Sequence, residues 1–115
     1  WGVRLLVGQA LMEAAKERFY FREIDTVRLS RTGQVGHVYE LLGRGKPNND
    51  EKEFLAQYHA ALGAYRMRDF TRAGELLGTL LLHRSDEVCK RHKERCAKYA
   101  RQAPPSSWDG VYVDP

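Results

Sequence analysis

Three groups of residues have the types and spacing that could carry chemistry. Cys89, His92 and Cys96 stand at i, i+3 and i+7, so on a helix all three could point one way and ligate a metal. Zinc usually takes four ligands drawn from two elements, and His83 or His59 could add one, but no spacing requires it. The plainer reading is two small thiols packed as core residues with His92 at the margin. Glu23 and Asp25 would lie on one strand face about 7 Å apart, close enough to share Mg²⁺. Beside Arg22 and Arg28 they read more simply as exposed hairpin charges. Gly43-Arg44-Gly45-Lys46 looks like a phosphate loop, but such a loop needs glycine five residues before the Gly-Lys pair and Ser or Thr after it. Glu40 and Pro47 occupy those places, which excludes it. No Ser/His/Asp or Cys/His arrangement at defined spacing is present to argue a nucleophile.

The elements that must position these residues centre on the stretch from Phe54 to Leu82. Leu55, Tyr58, Leu62 and Tyr65 recur at helical steps, as do Phe70, Ala73, Leu76, Leu77, Leu80 and Leu81. The short break at Arg66-Met67-Arg68-Asp69 predicts an antiparallel helical hairpin, with Ala61, Ala64 and Ala73 at the crossing. Tyr58, Leu62, Tyr65, Phe70 and, from the tail, Trp108 form the candidate interaction surface. Ser85 or Asp86 can cap a third helix over Glu87 to Ala100, with Val88, Cys89, Cys96 and Tyr99 as its buried residues. Pro104-Pro105 stops it, and the aromatics of the following tail are expected to dock on the helices.

Upstream, Trp1 to Val7 reads as a buried strand ending at Gly8. Gln9 to Phe19 reads as a helix with Leu11, Ala14, Ala15 and Phe19 on one face. Phe21 to Leu29 alternates, with Phe21, Glu23, Asp25, Val27 and Leu29 on one side and Ile24 on the wrong one. After a turn cluster at Ser30 to Gln34, Val35 to Leu42 returns as the second strand of a hairpin. Gly43 to Asn49 crowds Gly, Pro and Asn and reads as a linker. The expected fold class is α+β: a partial β-α-β-β remnant over residues 1–44, a linker over 45–53, a tetratricopeptide-like helical extension over 54–103, and a tail over 104–115.

At 115 residues, with 43% hydrophobic and 10% aromatic content, the chain can build a modest core and is too apolar for wholesale disorder. Residues 83–101 hold 7 basic and 3 acidic side chains, which matches the whole net charge of +4. With no aromatic interleaving, that excess reads as a solvated helix face, and no nucleic-acid partner is expected. Two cysteines are too few for a disulfide framework, and seven residues apart on a helix they sit about 10 Å from each other, too far to bridge. Free thiols suit a reducing compartment, so a cytoplasmic location is expected. The apolar run Leu76 to Leu82 falls far short of the ~20 residues that cross a bilayer, so this piece is expected to make no membrane contact. The first residue is not Met and lies inside a strand pattern, as in a piece cut from something longer.

The run Trp1-Gly2-Val3-Arg4-Leu5-Leu6-Val7-Gly8, a helix, FREIDTVRL, a turn and VGHVYELLG resembles the C-terminal end of class III nucleotidyl cyclase catalytic domains. Asp25, Val27, Val38, Tyr39, Glu40 and Leu41 fall in register with the family's closing hairpin. Residues 54–101 resemble the tetratricopeptide-like helical extension behind bacterial cyclase domains, with Ala61 and Ala73 at its small-residue positions. The closing Pro of that repeat, expected near Ser85, and its usual Trp are missing. Trp108-Asp109-Gly110-Val111 looks like the terminal signature of such proteins. The resemblance implies a parent that converts ATP to cyclic AMP and pyrophosphate on two Mg²⁺ ions held by aspartates upstream of position 1. It implies no catalytic residue and no metal site in these residues. It leaves adenylate and guanylate products undivided, and allows a membrane-anchored parent. Ser30-Arg31-Thr32 stands where the family has Lys-Gly-Lys, which makes Arg31 the implied phosphate contact. Expected partners are the rest of the parent cyclase and a second copy. The alternative is a helical protein–protein interaction module with no link to an active site.

Overall fold

The computed structural model describes residues 5–29, 33–110 and 112–114, the last three and Leu29 by backbone alone. The fold is α+β, and the chain divides into two compact units: a sheet unit of Val3–Asn48 with Val111–Pro115, and a helical unit containing Asn49–Gly110.

The sheet unit contains β1 (Leu6–Gly8), α1 (Gln9–Ala15), β2 (Phe19–Leu29), β3 (Val35–Arg44) and β4 (Tyr112–Asp114), with strand order β1-β3-β2-β4. β3 is antiparallel to both β1 and β2, while β4 runs parallel to β2, Val27 opposite Tyr112. The predicted helix over Gln9 to Phe19 is cut short, because Phe19-Tyr20-Phe21 is an aromatic run suited to a strand and pairs with Arg44, Gly43 and Leu41. α1 buries none of its residues, so the expected apolar face fails: Leu11 is 57% exposed.

The alternation in β2 is also corrected. The register passes from Glu23 opposite Tyr39 to Asp25 opposite Val38, which leaves Ile24 as an extra, bulged residue. Ile24 is fully buried, and Arg22 and Thr26 are buried too. An inserted residue resets a period-2 pattern, which is why simple alternation put Ile24 on the wrong side. Gly43 faces Tyr20 in the register, and a Cβ there would lie 2.7 Å from the Tyr20 ring, so glycine at this place is set by packing.

The helical unit contains α2 (Asn49–Arg66), α3 (Phe70–His83) and α4 (Glu87–Arg101). α2 begins at Asn49, so the linker expected over 45–53 is cut to residues 45–48 and the helical unit starts before position 54; Asp50 and Glu51 stand in the first turn of α2, where the helix dipole favours them. Leu55, Tyr58, Leu62 and Tyr65 are buried on one stripe of α2, and Phe70, Ala73, Leu77 and Leu80 on α3. Ala61 and Ala73 have no exposed surface. Asp86 caps α4, its carboxylate accepting the backbone N–H of Cys89 at 3.0 Å.

α2 ends in a Schellman motif. The N–H of Arg68 bonds the carbonyl of Tyr65, and that of Asp69 bonds the carbonyl of Ala64. The left-handed residue of the motif is Arg68, with φ of 67°, where glycine is the usual choice. Asp69 then caps α3, accepting from the N–H of Arg72.

Candidate functional site

On the sheet unit, polar side chains gather on the hairpin in two pairs of contacts. Arg22 and Glu40 are opposite each other in the register; the Arg22 Nη2 lies 2.7 Å and its Nε 2.8 Å from Glu40 Oε1, with both residues largely out of water. Beside them, His37 Nδ1 is 2.9 Å from Glu23 Oε2 and 3.3 Å from Thr26 Oγ1. The bulge at Ile24 shifts the phase of β2, which lets Glu23 and Thr26 reach one imidazole. Both contacts converge on the same ring nitrogen. A hydroxyl–imidazole–carboxylate relay needs the two partners on opposite nitrogens, so this arrangement fastens the hairpin and does not make a nucleophile.

Asp25 is buried, and its Oδ1 accepts the N–H of Thr26 at 3.0 Å. Glu23, by contrast, is turned to His37 and Thr26. The predicted shared face of these two carboxylates is therefore not formed.

On the helical unit, Cys89, His92 and Cys96 are all buried on α4. The His92 ring lies 5.8 Å from that of Tyr65 and 6.4 Å from that of Tyr58, so its neighbours are core aromatics. Burial pushes the Cys96 thiol up to about 11, against a smaller opposing pull from Arg95, so it is neutral and unreactive near pH 7. Among the described residues no three His, Cys, Asp or Glu side chains are grouped to hold a metal ion.

Of the sequence-predicted site residues, Arg31 lies outside the described residues. Tyr58, Leu62, Tyr65 and Phe70 are interior and cannot form an exposed interaction surface, because the apolar stripes that mark them are closed by α3 and α4. Trp108 is half-buried and joins them, with its ring 5.4 Å from Tyr65, 5.6 Å from Phe70 and 5.7 Å from Tyr99. The residue that sequence reasoning missed is Arg68. Its two terminal nitrogens donate to the carbonyls of Pro105 at 2.9 Å and Pro104 at 2.8 Å, and its guanidinium lies 5.7 Å from the Trp108 ring centre. An arginine in a short helix–helix turn where glycine fits better is the only signal that could have marked it.

Comparison with protein families, with curated proteins and with solved structures finds no match. Among the described residues no helix is long and apolar enough to cross a membrane.

Proposed function

We propose that this chain is the C-terminal part of a class III nucleotidyl cyclase, joining the end of the catalytic domain to a tetratricopeptide-like regulatory extension that acts in cyclic-nucleotide signalling. The observation that carries the reading is β3. It places Tyr39-Glu40-Leu41 between β1 and β2, in a β-α-β-β order, at the residues where the family's closing hairpin falls. The helical hairpin follows after a short link, with Ala61 and Ala73 fully buried at the positions a repeat of that kind keeps small.

In the parent, aspartates upstream of Trp1 would hold Mg²⁺ and the triphosphate, and the ribose 3′-hydroxyl of ATP would attack in line. The sheet unit would then complete the domain, with Arg31 near the phosphates. Leu5, Leu6 and Leu11 are each more than a third exposed, as expected of a surface that receives the rest of a larger domain or a second copy. Two free cysteines agree with a cytoplasmic setting.

The test is the coding sequence upstream of Trp1. An Asp…Asp pair and an Asn-x-x-x-Arg stretch within about 150 residues, one domain's length, are expected there. An upstream frame without either would overturn the reading.

One observation favours the second reading, an interaction module without an active site. An open groove of about 440 Å³ runs between α3 and α4, lined at its surface by Gly74, Glu75, Gly78, Lys93, Ala97 and Ala100. The same upstream sequence separates the two readings.

A further inference from the structure

We infer that the groove between α3 and α4 is the contact through which two copies of this chain associate, each groove closed by the other. The inference rests on the interaction reading and names its partner. A chain that stays monomeric ends the inference, whereas the upstream sequence alone decides that reading.

The groove is open, holds about 440 Å³ and is walled by small residues, Gly74 and Gly78 of α3 and Ala97 and Ala100 of α4. Both glycines stand inside a helix, where glycine is a poor choice. Packing within the chain does not demand them. A Cβ on Gly74 would lie 3.8 Å from the Cys96 Cβ, and one on Gly78 3.6 Å from the Lys93 Cε, both ordinary contacts. One helical turn apart on the same wall, they bare the α3 backbone to whatever enters the groove. The third helical glycine, Gly63, is exposed and solitary on α2, so only α3 carries such a pair.

Charge decides what enters. One acid and one base stand on the groove, Glu75 on α3 and Lys93 on α4, and both are exposed. Among the described residues, neither side chain takes part in an ion pair or a hydrogen bond. The near approaches of Gly74 to Cys96 and of Gly78 to Lys93 show that α3 and α4 run antiparallel. Glu75 and Lys93 therefore lie less than one helical turn, about 5.4 Å, apart along the pair. A closed dimer requires a patch that is its own complement. A two-fold axis along the groove lays α3 of one copy against α4 of the other at the same level, so each Glu75 faces the Lys93 of the other copy. The charges that have no partner within one chain are then paired twice between two, and the small residues of both copies form the dry centre.

The experiment is sedimentation equilibrium of the full chain from about 1 µM to about 1 mM, which covers weak specific association. The native chain is expected to pass from monomer to dimer. Glu75→Lys sets lysine against lysine at both contacts, and Lys93→Glu sets glutamate against glutamate. Each variant alone should associate at least about ten-fold more weakly. An equimolar mixture of the two restores an opposite pair at both contacts, as does the double variant, and each should recover the native association. Both positions are exposed and both substitutions exchange one good helix former for another, so helical circular dichroism should stay unchanged. Recovery on mixing is a result that neither lost folding nor association through the sheet unit can produce. A native chain monomeric throughout would leave the groove to a different occupant and overturn the inference. Single variants that associate like the native chain, or a mixture no stronger than its components, would overturn it as well.

Discussion

Single residues in this chain often do something other than what their type suggests. Cys96 has the spacing of a metal ligand, yet its thiol is shielded from water and held protonated. The consequence is a pH dependence with a definite sign. The folded state keeps the thiol proton up to about pH 11, whereas an unfolded chain gives it up near 9.0. Stability from this group is thus complete below pH 9 and falls as pH rises toward 11, by at most about 3 kcal/mol. Urea midpoints measured across that window should fall in the native chain and fall less in Cys96→Ala, which isolates the thiol from the tyrosines and lysines that titrate nearby. Equal slopes would show that burial does not govern this group. Gly43 is a similar case: in sequence it looks like part of a phosphate loop, and in the fold it makes room for the Tyr20 ring.

At the scale of elements, the helical hairpin follows its apolar period and β2 departs from its own. Leu62 and Leu82 make the contrast measurable, since the first is buried and the second is 83% exposed at the end of α3. Leu62→Ala should cost about 2–4 kcal/mol, through lost burial and the cavity left behind. Leu82→Ala should stay within about 0.5 kcal/mol, both read from urea unfolding of the helical signal. A large loss at Leu82 would mean that a partner covers the end of α3. In β2 the bulge at Ile24 carries structural information that no alternation rule holds: it brings Glu23 and Thr26 to His37 and leaves Asp25 buried, its carboxylate turned to the N–H of Thr26. α1 shows the opposite failure. A plausible helical stripe exists there, but seven residues with no buried side chain leave it uncovered.

For the whole molecule, the cyclase proposal carries a direct expectation. The purified chain, incubated with ATP and Mg²⁺, should form no cyclic AMP, because the metal-holding carboxylates are assigned to a portion upstream of Trp1. Measurable product would place the catalytic groups within these residues and sink that assignment. The two units also divide the legibility of the chain. Over Asn49–Gly110, helix periods, caps and the stop at Pro104-Pro105 could be read directly, since contacts three and four residues apart are local and the sequence records them. The α+β class, the hairpin of β2 and β3 and the third helix were legible for the same reason. Register was not, because a bulge is decided by cross-strand fit between residues far apart in the chain. Nor was the return of Tyr112–Asp114 to pair with Val27–Leu29. Nor was the bond from Arg68 to two carbonyls 36 and 37 residues away. Over the helical unit, the sequence by itself determined which segments are helices and which face of each is apolar. Tertiary structure alone decided which aromatics close the core and what fastens the tail, because those contacts join residues that no local period connects.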